Sequence, residues 1–348
     1  MTGAVKSTLH DSESALVAVR DLKKHFPMRR RFASEGADHI KAVDGVSFDI
    51  PAGRTLGLVG ESGSGKTTVG RSILRLIEPT AGEILFDDVN VLALRGRALR
   101  GVRRQMQMVF QDPVASLNPR MTAAEIVGEG LQVHRVARGR DLRERVAGLM
   151  RRVGLSADDM DGYPHVFSGG QRQRIGIARA IALDPRFIVC DEPVSALDVS
   201  VRLQILNLLD DLRRERGLAC LLITHDLTVV RRFCDDVAVM YFGRIVETGS
   251  AENIFANPRH PYTKALLSAV PVPDPDSRTR RFVLPGEVPD PLNPPSGCPF
   301  HPRCPFAVDR CRTDIPDLIS WSGAAPRHRT ACHYADQDLP LPVTVSAP

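Results

Sequence analysis

The sequence contains no run approaching the roughly eighteen uncharged apolar residues that a membrane span requires. Its opening, MTGAVKSTLHDSESALVAVRDL, carries acidic side chains and no apolar signal core. Both absences predict a soluble protein of the cytosol, where disulfides are rare. Lysine is scarce: 6 of the 46 basic residues are Lys and 40 are Arg. Such a skew reflects coding bias better than a binding code, so the net charge of +5, the RRRF run at 29–32 and the Arg-rich stretch 95–104 are read as solvated faces and not as a polyanion site. The seven cysteines include no tight C-x2-C pair, which excludes the common zinc ribbon. There is no internal repeat, and no low-complexity tract beyond a proline-rich C-terminal region.

What is present suffices for one large domain and a smaller appendage: 348 residues, 43% of them apolar. From ALVAVRDL near the start to IVETGS at 245–250, short β-branched runs alternate with helical patterns, the signature of an α/β domain with a largely parallel sheet. TLGLV (55–59), MQMVF (106–110), FIVC (187–190) and LACLLIT (218–224) read as buried strands. The stretch 200–216 reads as a helix whose buried face carries Leu203, Leu206, Leu209 and Leu212. From about residue 257 prolines exclude long regular elements, and only YTKALLSAV reads as a short helix. The expected division is a tail over 1–15, a main domain over 16–257 and a loop-rich unit over 258–348.

GESGSGKT at 60–67 fits G-x-x-x-x-G-K-[ST] between a strand and a helix, the setting that phosphate binding requires. Glycines let backbone N–H groups turn inward as an anion nest, and the helix N-terminus adds positive potential. The contact set is Gly60, Glu61, Ser62, Gly63, Ser64, Gly65, Lys66, Thr67 and Thr68, with Lys66 on the outer phosphates and the Thr67 hydroxyl on Mg²⁺. RFIVCDEP at 186–193 ends an apolar strand in Asp191, placed to hold Mg²⁺ through water, and Glu192, placed as general base. A second small-residue turn opening a helix, FSGGQRQRIGIARAIALDP at 167–185, is a second anion site on a chain that has one nucleotide loop.

That segment resembles the LSGGQ signature of ATP-binding cassette ATPases, with Phe167 in the first place and Ser168, Gly169, Gly170 and Gln171 intact. The resemblance implies an α/β P-loop nucleotide-binding domain with a RecA-like core, an antiparallel β subdomain and a helical subdomain. It also implies ATP with Mg²⁺ as cofactors, and head-to-tail dimers in which the signature of one subunit closes on the γ-phosphate held by the other. Gln111 resembles the Q-loop glutamine, a further Mg²⁺ contact that also faces the transport partner; SALD at 195–198 resembles the D-loop, with Asp198 crossing the interface; His225 resembles the switch histidine. Their bland readings are a surface amide, a helix N-cap and a satisfied strand-end histidine. The family stacks an aromatic residue on adenine, here Phe26 or else Phe32.

Only 56 residues separate Gln111 from Ser168, too few for the coiled coil of DNA-repair members, and translation-type members carry two cassettes. IKAVDGVSFDI (40–50), QDPVASLNPRMT (111–122), DEPVSALDVSVRLQILNLL (191–209) and HPYTKALLSAVP (260–271) are similar to the ATP-binding subunits of oligopeptide/dipeptide permeases, F-type member. The resemblance implies an ATPase powering peptide import from the cytoplasmic face of the membrane. Its expected partners are a D-type ATPase paralogue, two membrane permease subunits and, indirectly, an extracytoplasmic binding protein, with no nucleic acid involved. Nickel or other peptide-like cargo is the alternative, and a non-transport ATPase acting on nucleic acid or ribosomes is the reading from another class.

Four cysteines remain at Cys298, Cys304, Cys311 and Cys332. Disulfides, a structural zinc and an iron–sulfur cluster compete, and thiolates suit either metal. Similar C-terminal regions of peptide permease ATPases carry a four-cysteine [4Fe–4S] site; by that resemblance the cluster comes first, Zn²⁺ second and unligated thiols third. His301 and His333 lie beside these cysteines as substitutes in a zinc site. A loop-rich tail gains folding energy from such a staple. Cys190, Cys220 and Cys234 read as core residues.

Overall fold

Strands that are apolar at every position, and not only at every second one, belong in a sheet covered on both faces. The computed structural model describes residues 15–27, 39–195, 197–270, 282 and 284–340, and places these strands in the middle of the molecule. Three strands come first, β1 (Ala15–Pro27), β2 (His39–Pro51) and β3 (Thr55–Val59), followed by β4 (Ala81–Phe86), β5 (Val89–Asn90) and β6 (Met106–Val109). The remainder are β7 (Phe187–Asp191), β8 (Ala219–Thr224), β9 (Asp236–Tyr241), β10 (Arg244–Ser250) and β11 (Arg329–Thr330).

A seven-stranded sheet has the order β11-β10-β9-β3-β8-β7-β6, and a four-stranded antiparallel sheet the order β2-β1-β4-β5. The five strands from β9 to β6 run parallel, while β10 and β11 are added antiparallel. Side chains alternate between two cores with the period of a strand. Phe187 and Val189 of β7, with Leu221 and Ile223 of β8, face the small sheet and helix Lys66–Ile73; Ile188, Cys190 and Leu222 face a helical layer. That layer includes helices Ala123–Val133, Gly139–Arg152 and Gly169–Ile181. Thr122 and Glu125 close the first with a reciprocal capping box, so its start is set locally.

Helix Val199–Arg216 forms as expected, but its buried face is Ile205, Leu206 and Leu212, with Leu208 and Leu209 partly covered. Leu203 is 43% exposed, so the expected leucine face is corrected there. Steps of three residues fall short of the 3.6-residue turn, so nine residues carry a side chain about half-way round the helix. Cys190 and Cys234 are buried and Cys220 is partly covered, and burial raises all three thiol pKa values, Cys220 to about 12.

The described residues beyond 257 join the same core and the same sheet. Tyr262, in helix Pro261–Ser268, and Phe300 are 0% and 1% exposed and belong to the core of the helical layer. Glu247 of β10 is fully buried, accepts the N–H groups of Arg259 (2.7 Å) and His260 (2.9 Å), and lies 2.8 Å from His328 Nε2. A buried carboxylate is tolerated only when so partnered, so these contacts fix the chain on both sides of the proline-rich stretch against β10. Among the described residues no helix is long and apolar enough to cross a membrane.

Candidate active site

Each candidate catalytic residue follows or ends one of four adjacent parallel strands. The phosphate-binding loop follows β3, His225 follows β8, Asp191 ends β7 with Glu192 next, and Gln111 follows β6 by two residues. The C-terminal edge of a parallel sheet is where ligands bind in open α/β folds, and the strand order alone assembles residues scattered from 60 to 225.

The loop is tightly seated. A Cβ on Gly60 would stand 2.1 Å from Met240 O, and one on Gly65 2.1 Å from Ala42 O, both at positive φ, so only glycine fits either place. Lys66 is 5% exposed and its Nζ donates to Gly60 O (2.8 Å), Glu61 O (2.7 Å) and Ser64 Oγ (3.2 Å). The ammonium is thus folded back onto the loop that surrounds the phosphate nest. Burial lowers its pKa, opposed by the charges of Glu192, Asp191 and Glu61. Ser62 and Gly63 are exposed at the loop's rim, and Thr67 and Thr68 are half-buried in the first helical turn.

Thr67 Oγ1 donates to Asp191 Oδ1 at 2.8 Å. Asp191 is 0% exposed and its Oδ2 has no hydrogen-bond partner. Burial raises the pKa of this carboxyl, the largest of several influences on it. An orphaned carboxylate oxygen beside a threonine hydroxyl is a donor set of the hard oxygen kind that suits Mg²⁺. Glu192 takes φ +43°, a strained conformation for this residue, held by its N–H donating to Ile223 O (2.9 Å). That turn aims its carboxylate between two partners: Gln111 Nε2 donates to Oε2 (3.0 Å), and His225 Nδ1 lies 3.2 Å from Oε1. Neighbouring caps hold both partners in place. Asp112 accepts from Val114 N and Ala115 N beyond Gln111, and Asp226 accepts from Thr228 N and Val229 N beyond His225.

The signature segment stands apart from this cluster. Ser168 caps helix Gly169–Ile181, exchanging bonds with Gln171 (2.9 and 3.3 Å) in a second capping box, while Phe167 anchors the turn in the core at 6% exposure. Ser168 and Gly169 are exposed, so the positive end of this helix opens to solvent. A Cβ on Gly170 would meet Val201 Cγ1 at 2.7 Å. Asp198 occupies the N-cap position of helix Val199–Arg216 but makes no side-chain cap bond and is exposed. Phe26 lies at the end of β1 opposite Ile40, with Lys24 Nζ 4.9 Å from its ring centre. Phe32 lies outside the described residues.

An ABC transporter family profile matches residues 43–195, and the profile for the oligopeptide/dipeptide transporter C-terminal region matches 246–311. A peptide import ATP-binding protein of Brucella ovis is 54% identical over 321 residues, 92% of this chain and 98% of that one. The chain belongs to the ATP-binding protein family of oligopeptide/dipeptide ABC transporters. The oligopeptide transport ATP-binding protein OppF of Salmonella typhimurium is 46% identical over 94% of this chain and 98% of its own length. The solved dimeric ATP-binding cassette MJ0796, bound to ADP and Pi, superposes with a TM-score of 0.61 at 31% identity, covering 68% of this chain and 98% of that one. As an ABC ATPase the protein takes ATP and Mg²⁺.

Two partners of the phosphate-binding loop were not legible in the sequence. Glu61 N donates to Tyr262 Oη (2.8 Å), and the Glu61 carboxylate is gripped by Arg303 (2.7 and 3.2 Å). Tyr262 in HPYT and Arg303 in HPRC were visible as motif letters, but no local pattern announces a partner more than 200 residues away.

Cys298, Cys304, Cys311 and Cys332 line one small cavity together with Phe300, His301 and His333. All seven cysteines are free thiols. Burial raises the pKa of Cys298 to about 11 and of Cys304 to about 12, and raises that of Cys332. His301 Nδ1 and His333 Nε2 are taken up by the carbonyls of Cys298 and Asp314, each at 3.0 Å. Among the described residues no group of three or more His, Cys, Asp or Glu side chains is arranged to hold a metal ion.

Proposed function

We propose that this chain is the ATP-hydrolysing subunit of a binding-protein-dependent importer of peptides, bound peripherally at the cytoplasmic face of the membrane. The observation that carries the reading is the contact of Glu192 with both Gln111 and His225 beside the Thr67–Asp191 pair, in a chain whose relatives are named for peptide import and oligopeptide transport. In this reading Glu192 accepts the proton of the attacking water, and Asp191, Thr67 and Gln111 hold Mg²⁺. Gly60 through Thr68, with Lys66 foremost, cradle the phosphates of ATP, and His225 contacts the γ-phosphate. Phe26 stacks on adenine.

Ser168, Gly169, Gly170, Gln171 and Asp198 act in trans on nucleotide held by a second ATPase subunit, a D-type paralogue. The exposure of Ser168, Gly169 and Asp198, and the dimeric state of the MJ0796 cassette, support this assignment. The segment after Gln111 meets the cytoplasmic face of two membrane permease subunits, which receive cargo from an extracytoplasmic binding protein. Residues 16–257 form the ATPase domain and 258–348 a peptide-permease-type C-terminal unit.

The four cysteines belong to a [4Fe–4S] centre, with structural Zn²⁺ as the alternative. Support comes from the four cysteines lining one cavity, because thiolates suit iron and zinc alike. Bound there, such a centre supplies the staple for the loop-rich tail.

The test is reconstitution. The chain is purified anaerobically with co-eluting membrane proteins, placed in liposomes, and its ATPase rate measured with and without peptide-loaded binding protein, with iron, sulfide and zinc determined on the same sample. Stimulation by the loaded binding protein is expected. A rate that responds to DNA or ribosomes instead overturns the transport reading.

A further inference from the structure

Glu61 is the second residue of the phosphate-binding loop, and three of its groups are held at once. Its carbonyl accepts from Lys66 Nζ (2.7 Å). Its N–H donates to Tyr262 Oη (2.8 Å), and its carboxylate receives both arms of the Arg303 guanidinium (2.7 and 3.2 Å). The last two partners come from the C-terminal segment, 201 and 242 residues along the chain.

Both partners are built in. Tyr262 is 0% exposed and packs against Tyr241 and Phe300, with ring centres 4.7 and 5.5 Å away. The Arg303 side chain is 7% exposed against 29% for Glu61. Arg303 sits in a tight turn between two of the cavity-lining cysteines: His301 N donates to Cys298 O, Arg303 N to Phe300 O and Cys304 N to His301 O. Its Nε also lies 3.3 Å from Pro285 O. A guanidinium fixed in this way cannot follow a moving carboxylate, so it sets where that carboxylate goes.

The electrostatics give this grip a consequence. A nest of N–H groups and one lysine attracts a triphosphate, and a free carboxylate within the same loop repels it. Forked pairing with Arg303 cancels that charge and turns the side chain onto the C-terminal segment. We propose that the C-terminal segment is an intramolecular clamp on the phosphate-binding loop, in which Arg303 and Tyr262 are positioning residues that set the affinity for a nucleoside triphosphate. The clamp rests on the nucleotide-binding reading of the loop.

The test uses the full chain with a fluorescent ATP analogue for equilibrium binding and steady-state hydrolysis for KM and kcat. Arg303→Ala is expected to weaken nucleotide binding and raise KM on the order of tenfold, the loss of one charge-assisted forked pair, with kcat at saturating ATP changed far less. Arg303→Lys falls between, because lysine restores charge without the fork. The double variant Glu61→Gln with Arg303→Ala recovers most of the affinity, since the repelling charge is gone. Tyr262→Phe, which removes one hydroxyl and keeps the core filled, weakens binding several-fold and keeps the proposal open to test if Arg303→Ala fails to fold. Unchanged binding in both Arg303→Ala and Tyr262→Phe overturns the clamp. So does a double variant as weak as Arg303→Ala alone. Failure of the underlying reading looks different: the unmodified chain would then bind no nucleotide.

Discussion

Gln111 and Glu192, 81 residues apart in the chain, are joined by a 3.0 Å hydrogen bond across the C-terminal edge of the central sheet. The bond leaves the Glu192 carboxylate bracketed by an amide on one side and by His225 on the other. In the proposed role as base, a carboxylate held in this manner is spared the cost of being oriented at the moment of reaction.

Replacing Glu192 with glutamine keeps the shape and removes the carboxylate proposed as the base. Turnover is expected to fall by about 10²–10⁴, while ATP still binds. Phosphate release and nucleotide binding measured on the same preparation separate the two effects, and undiminished turnover would remove Glu192 from the mechanism.

Asp191→Asn removes the charge that the orphaned Oδ2 carries while leaving a partner for Thr67. The Mg²⁺ concentration that gives half-maximal hydrolysis should rise by about tenfold or more, the loss of one charged contact. Because burial raises the Asp191 pKa, protons compete with Mg²⁺ above the ordinary carboxylate range. The Mg²⁺ requirement of the unmodified protein should therefore increase as pH is lowered toward that range, which a titration of rate against Mg²⁺ at several pH values checks.

Ser168→Arg places a bulky cation at the exposed end of helix Gly169–Ile181. Nucleotide affinity of the isolated chain should be unaffected, since the Ser168 hydroxyl accepts from Gln171 N within its own capping box and touches no residue of the phosphate-binding loop. Hydrolysis by the assembled dimer should drop about 10²–10³-fold, the scale of losing a transition-state donor. Equal losses in binding and turnover would count against a role in trans.

His260 is buried, its Nδ1 accepts the Tyr262 N–H (3.1 Å), and burial lowers its pKa from 6.5 to about 4. The neutral ring is the form the fold accepts. Between pH 6.5 and 4 the unfolded chain takes up the proton first, so stability present above pH 6.5 is lost as pH falls through that window, by on the order of 3 kcal/mol at most. Denaturant midpoints at pH 7.5 and pH 4.5 check the sign, and His260→Gln should flatten the dependence.

Phe300→Ala empties a side chain that is 1% exposed and packs on Tyr241, Tyr262 and His260. A loss of about 3–5 kcal/mol is expected from the cavity it leaves, measured by thermal or denaturant unfolding.

The strands and the phosphate loop were legible because their causes are local. TLGLV matches β3 residue for residue, and FIVC and LACLLIT fall within a residue of β7 and β8, since an unbroken apolar run has few other places to go. Glycines 60, 63 and 65 announce a loop of positive φ that other residues resist. The buried face of helix Val199–Arg216 was misjudged at Leu203 because leucines at steps of three imitate a stripe without sharing one.

By itself the sequence determined the buried strands β3, β6, β7 and β8, the helix that follows β7, and where the phosphate nest forms. Only the tertiary structure decided that Glu192 faces Gln111 and His225, that Asp191 keeps an oxygen free beside Thr67, and that Arg303 reaches back to Glu61. The reason is range: backbone preference and hydrophobic periodicity act over a few residues, whereas the pairing of charges far apart in the chain depends on strand order and on what burial leaves uncompensated.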